Sequence, residues 1–252
     1  MSDKDNIIDL SVIIPTADRE QLLHRAVDSV LKQSMSPSKI IVVDNGVNEI
    51  NIQFDDPRVV IVRTAPRIGP GRSRNIGVQS AGTKYIAFLD DDDWWDSGYI
   101  ENTIKKFEDT DADVVVGQLK RNGKDGSMKD YKLFPDSPDL QRKVFFSNPG
   151  FGGQNIAMKK EVFIEVGGFD ECMPASVDRD LAARLIAAGK SIACEPKAIA
   201  ILCDHTGGRV RMNQVKGNWM FIRKHWREMR LKELYRAMTT LLKRTALHLT
   251  RR

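Results

Sequence analysis

No stretch of about 18 uncharged apolar residues occurs in this 252-residue chain, so no segment reads as a membrane span. Residues Met1 to Asn6 are polar and carry acids, without the apolar core of a secretory leader. Cysteine is scarce. Cys172, Cys194 and Cys203 are odd in number and lack metal-ligand spacing, so they read as free thiols of a reducing compartment. Internal repeats and low-complexity tracts are absent too. A net positive charge is missing from most of the chain. The net charge of +5 is a tail property, because Arg223 to Arg252 hold ten Lys/Arg against two Glu, a balance of +8. The 222 residues before it sum to −3, which argues against a nucleic-acid-binding face. The expected protein is cytoplasmic, with one main domain over residues 1–222 and a basic amphipathic tail over 223–252.

What is present, at 41% hydrophobic residues, is enough for one sizeable core. Leu10 to Ile14 reads as a short strand ended by Pro15, followed by a helix that Thr16 or Asp18 could cap. Leu22, Leu23, Ala26, Val27, Val30 and Leu31 recur at helical spacing. Ile40–Val43 and Val59–Val62 are further strands, and Gly69-Pro70-Gly71 opens a helix through Ala81. Tyr85–Leu89 is a strand, Ile100–Phe107 a helix and Val114–Val116 a strand. Apolar strands alternating with amphipathic helices predict a doubly wound, mostly parallel sheet covered on both faces. Arg121 to Pro138 reads as a polar, turn-rich loop, and Gly150, Gly152 and Gly153 allow close backbone approach to a ligand. Asp178-Arg179-Asp180 opens a helix that Gly189 stops.

The chemistry is declared by Asp90-Asp91-Asp92-Asp93, which follow the strand ending Ala87-Phe88-Leu89 and precede Trp94-Trp95. In open α/β sheets ligands bind at this carboxyl edge. Four adjacent carboxylates repel one another unless a cation or a set of N–H donors neutralises them. The plainer reading is a solvated acidic turn. A second strand also ends in an acid, Val43 into Asp44, so polar groups converge on one edge.

In register, these segments resemble the inverting glycosyltransferases of GT-A family 2 over roughly residues 9 to 205. Ser11–Thr16 is similar to the family's opening strand, Arg25–Gln33 to its first helix and Ile41–Gly46 to its second strand and acidic turn. Arg74-Asn75-Ile76-Gly77 resembles the Arg-Asn element before the metal motif. Ala87–Asp93 looks like the DxD strand, with Asp90 and Asp92 in the signature positions. Val166–Asp170 resembles the turn before the acceptor half, and Asp178–Leu181 the Glu-Asp-x-Asp-Leu element. Two departures stand out: Asn45 replaces a frequent second acid, and Val177 replaces the Glu. The resemblance implies a GT-A fold, with a Rossmann-like nucleotide-binding half fused to an acceptor half and C-terminal helices.

It also implies roles. Asp92 would ligate Mn²⁺ or Mg²⁺, with His205 as a further ligand, and Asp90 would touch ribose or metal-bound water. Pro15, Thr16, Asp44, Asn45, Arg74 and Asp91 would line the site of a nucleotide-sugar donor, UDP-sugar favoured. Asp91 and Asp93 also admit a solvated or capping role, and Arg74 that of a surface helix charge. Asp178 would be the general base, against the plainer reading of a helix cap with Asp180 pairing Arg184. Trp95, Gly153 and Gln154 are the acceptor-facing candidates, although Trp94 and Trp95 could equally be core.

In the tail, Leu231, Leu234, Tyr235, Met238, Leu241 and Leu242 recur at helical spacing among Arg and Lys. Such a helix suits an anionic membrane surface, where lipid-linked acceptors sit, or packing on the domain or a partner subunit. The expected activity is transfer of a sugar to a saccharide or lipid-linked hydroxyl, placing the enzyme in the cytoplasm or peripherally on the inner membrane face. A nucleotidyltransferase would need a Gly-rich basic loop after the first strand, and Pro15-Thr16-Ala17-Asp18-Arg19 is not one. A non-catalytic cation- or nucleotide-binding module is the third reading.

Overall fold

The computed structural model describes residues 7–123, 125–203 and 211–249. Four parallel strands form one half of a single sheet: β1 (Ile7–Thr16), β2 (Ser36–Asp44), β3 (Val59–Arg63) and β4 (Tyr85–Phe88). The other half is built from β5 (Trp94–Trp95), β6 (Val114–Asn122), β8 (Ile156–Lys159) and β9 (Ile192–Cys203), with β7 (Met128–Lys132) on β6. The order is β3-β2-β1-β4-β8-β6-β9-β5. β6 and β9 are parallel, while β8 lies antiparallel between β4 and β6 and joins the two halves.

Alternation along β1 divides the core. Leu10, Val12 and Ile14 face a cluster covered by α1 (Glu20–Leu31) and α3 (Tyr99–Thr110). Ile13 faces the opposite cluster, with residues of α2 (Pro70–Ser80), α5 (Lys160–Glu165) and α6 (Val177–Ala187). A 3-10 turn, Arg142–Phe145, which follows the short helix α4 (Pro138–Gln141), adds Val144 and Phe145 to that second face. Residues of α7 (Arg211–His225) and α8 (Leu231–Leu249) join it too. Gly77 sets how closely α2 can lie on the sheet, since a Cβ there would stand 2.4 Å from Ile13 Cγ2.

Several expectations are corrected. β1 does not stop at Pro15 but runs through it to Thr16, because the proline stands beyond the last residue paired to β4, where a missing N–H is tolerated. Neither Thr16 nor Asp18 caps α1. Its N-cap is Arg19, without a side-chain bond, and Asp18 is turned to positive φ, accepting from Asn48 N at 3.0 Å. The segment read as a loop after Arg121 contains β7, which forms a hairpin with β6. Its side chains are mostly exposed and polar, so no apolar alternation marks it. Residue 223 is the expected start of the tail. It lies within α7, and Phe221, Ile222 and His225 around it are buried.

Candidate active site

The carboxyl ends of β1, β2 and β4 meet at one edge, tied by side chains. Thr16 Oγ1 donates to Asp91 Oδ2 at 2.8 Å, and Asn45 Nδ2 donates to the Thr16 carbonyl at 2.7 Å. Pro15, Thr16 and Asn45 are buried here. Asp44 is fully buried and accepts from Gly46 N at 2.9 Å, Ile50 N at 3.2 Å and the Arg63 guanidinium. Its carboxylate holds the turn after β2 through these bonds. The partner Arg63 gave no signal in the sequence beyond a charge at a strand end.

The four aspartates separate into distinct environments. Asp90 ion-pairs with Arg74. Asp91 is buried against Thr16, and Arg19 Nη1 reaches it at 3.3 Å and Asp92 Oδ2 at 3.0 Å. Asp93 is buried and accepts from Cys203 N at 2.9 Å. The solvated roles considered for Asp91 and Asp93 are therefore overturned; the chain folds back over both. Arg25 Nη2 donates to the Asp92 carbonyl at 2.6 Å and lies over the Trp94 ring, fixing the turn from α1. Arg19 and Arg25 were invisible as site residues because their partners are more than 60 positions away.

Ligand oxygens of Asp90, Asp92 and Asp93 lie within 4.8 Å of one another. An all-carboxylate set of this span suits a hard divalent cation. Asp93, which sequence reasoning set aside, belongs to it. His205 lies outside the described residues.

Burial pushes the Asp91 carboxyl up to about 6 and the Asp93 carboxyl up to about 8. The sign follows from linkage: between about pH 4 and 8 the folded chain holds protons that the unfolded chain has released. The stability these protons confer is lost as pH rises through the folded values. Thermal melts without added metal should therefore show this loss toward pH 8, and Mn²⁺ should restore more stability at pH 8 than at pH 6. Asp93→Asn, which mimics the protonated acid, should flatten the Asp93 part of the pH dependence. An unchanged profile in that variant would refute the assignment.

A further carboxylate enters the site from α6. Asp178, in its first turn, comes within 3.8 Å of Arg74, whose other contact is Asp90. Arg74 is 4% exposed. Burial lowers its pKa, but Asp90 and Asp178 outweigh that and raise it, so it stays charged. Gly153 makes room for it: a Cβ there would stand 2.4 Å from Arg74 Nη2. Asn75 and Gly77 complete the element differently, Asn75 by holding Phe169 through two bonds of 2.9 Å and Gly77 by seating the helix.

Asp178 is not the cap of α6, since Ser176 holds that position in a left-handed conformation. Its neighbours pin the turn. Arg179 donates to Asn218 Oδ1 at 2.9 Å and to the Phe145 carbonyl at 2.7 Å. Asp180 is fully buried and meets Arg184, Lys224 and His225, each at 2.8 Å. Burial pushes the Asp180 carboxyl up, but the His225 bond and the charges of Arg184 and Lys224 win and hold it at about 2. The expected Asp180–Arg184 pair is present, whereas the tie to α7 was not legible.

The three acceptor-facing candidates are all buried. Trp95 is 3% exposed, stacked on Tyr99 at 4.0 Å and donating to the Gln154 carbonyl at 2.8 Å, so it offers no open face. Gly153 and Gln154 are buried as well, Gly153 beneath Arg74.

The model of the family described as "Glycosyl transferase family 2" matches residues 11–167, more than half of the chain. The chain belongs to glycosyl transferase family 2. Among relatives, a Campylobacter jejuni GalNAc(5)-diNAcBac-PP-undecaprenol beta-1,3-glucosyltransferase is 29% identical over 64% of this chain and 55% of that protein. The succinoglycan biosynthesis protein ExoO of Rhizobium meliloti is 26% identical over 77% of this chain and 60% of its own length. This family 2 chain thus spans less than two thirds of either relative. Among solved structures, S. aureus TarS 1-349 in complex with UDP-GlcNAc superposes with a TM-score of 0.68. It covers 93% of this chain and 72% of that one at 16% identity. The mannosyltransferase PcManGT of Pyrobaculum calidifontis, in complex with GDP-Man and Mn²⁺, gives 0.65 at 18% identity, covering 92% and 69%. These likenesses establish the GT-A fold of this family 2 chain.

Proposed function

We propose that this chain is a metal-dependent inverting glycosyltransferase. It moves a sugar from a nucleotide-diphosphate donor, a UDP-sugar by preference, to a hydroxyl of a saccharide or lipid-linked glycan. The observation that carries the reading is Arg74, buried between Asp90 of the donor edge and Asp178 of the acceptor half. One cation thereby links the carboxylate cluster to a carboxylate on the facing element. The Campylobacter relative's name, with its undecaprenol-linked acceptor, supports the lipid-linked option. The TarS complex with UDP-GlcNAc supports UDP as the donor's nucleotide, and the PcManGT complex with GDP-Man makes a guanine donor the alternative to include in a test panel.

In this mechanism the donor's nucleotide lies along Pro15, Thr16 and Asn45. Asp178 accepts the acceptor's hydroxyl proton as that oxygen attacks C1 from the face opposite the leaving group. The new C1–O bond forms as the bond from C1 to the diphosphate oxygen breaks, and the anomeric centre inverts. Asp90, Asp92 and Asp93 would hold a divalent cation, which supplies Lewis-acid neutralisation of charge on the departing diphosphate. Arg74 adds fixed positive charge beside Asp90. Contact with a lipid-linked acceptor would be peripheral, at the inner membrane face; no described helix is long and apolar enough to cross a membrane.

A donor panel assayed for hydrolysis with Mn²⁺ tests the reading directly. Asp92→Ala should abolish transfer and weaken nucleoside-diphosphate binding only when metal is present. Metal-dependent binding that survives the substitution would remove Asp92 from the site.

A further inference from the structure

The C-terminal helix carries more apolar surface than the body covers. Glu233, Ala237 and Leu241 of α8 are buried, and Leu234 packs against the core. Glu233 is neutralised by Arg142 at 2.7 Å. Beside this inward face, Leu231, Tyr235, Met238 and Leu242 recur at i, i+4, i+7 and i+11, which aligns them on one edge. They are 88%, 72%, 37% and 64% exposed. Lys232, Arg236 and Lys243 are exposed on the flank next to that edge. At the turn before α8, Trp226 is 52% exposed, as is Trp219 on α7.

We propose that the open edge of α8, together with Trp226, docks on an anionic phospholipid bilayer, with α8 lying in the headgroup plane. The occupant follows from the chemistry of the edge. Leucine and methionine can enter the acyl boundary, while Tyr and Trp prefer the headgroup level. The cationic flank has no acidic counterpart on α8, whose single Glu is already paired with Arg142. Anionic headgroups supply the missing charge. A second copy docking on the same edge would set this flank against itself, which like charges oppose. The proposal deepens the lipid-linked acceptor reading, by placing the site on the surface where such acceptors lie.

Sedimentation of the full chain with phosphatidylglycerol-containing vesicles should show binding that weakens with salt and is absent on pure phosphatidylcholine. Tryptophan emission should shift to the blue on binding. Leu231→Ser/Tyr235→Ser/Leu242→Ser should reduce vesicle affinity at least about tenfold without lowering the melting temperature, since all three side chains are exposed. Lys232→Gln/Lys243→Gln should reduce it by roughly fivefold per charge. Equal binding to neutral vesicles, or full binding by the triple variant, would overturn the proposal. So would a dimer that the triple variant dissociates, with no vesicle binding by the parent. Donor hydrolysis in free solution reads the catalytic proposal separately, so failure of either is recognisable on its own.

Discussion

Asp178→Asn should lower turnover by about 10²- to 10⁴-fold, the usual contribution of a positioned general base. Asparagine keeps the size of the side chain but cannot accept the acceptor's proton. The loss should fall on the chemical step, because Thr16, Asn45 and Asp90, the groups proposed to face the donor, lie on other elements. Nucleoside-diphosphate affinity should therefore stay near the parent value. Folding should be largely spared, since Arg74 keeps Asp90 as its ion-pair partner and α6 is pinned by Arg179 and Asp180 and does not depend on Asp178 as a cap. Titration calorimetry, melting and single-turnover rates together separate these effects. A variant within tenfold of the parent rate would dismiss the assignment, as would a product that retains the donor's anomeric configuration.

Arg74→Met should be the most damaging change to the site as a structure. Removing one member of a buried ion pair costs about 3–5 kcal/mol when both partners are sealed from water. The Asp90 and Asp178 side chains are each 28% exposed, so water recovers part of that, and a loss of roughly 2–4 kcal/mol is expected. For a chain of this size the melting temperature should fall by roughly 5–10 °C. Donor affinity should fall as well, because two carboxylates are left uncompensated beside the phosphates. Arg74→Lys should not restore it, as a single ammonium cannot span both acids as the guanidinium fork does. Gly153→Ala should reproduce part of the defect without touching a charge, by pushing a methyl group into Arg74. Parent-like melting and donor affinity in Arg74→Met would show that the bridge carries no weight.

Much of the donor edge was legible because its signals are local. A run of apolar residues ending in Asp90–Asp93 names both a buried strand and its carboxyl end, and Val43 into Asp44 repeats the pattern. Helix spacing in α1 marked Leu23, Ala26, Val27 and Val30, all of them buried. β7 was missed because Lys129, Asp130 and Lys132 give an exposed strand no apolar period. Trp95 stays open between acceptor face and core in the sequence, because a tryptophan beside an acidic cluster reads the same whether its ring faces a sugar or Tyr99.

The sequence by itself determined the alternation of strands and helices, the carboxylates at one sheet edge and the amphipathic character of α8. Each follows from residues within a few positions of one another, where spacing dictates which face a side chain takes. Tertiary structure alone decided that Arg74 meets Asp178, that Asp180 is locked by His225, that Asp44 turns inward and that one edge of α8 stays open. Those outcomes depend on how distant elements pack. Pairs such as Asp180 and His225, separated by 45 positions, have no common period, and only close packing of α6 on α7 brings their charges into contact.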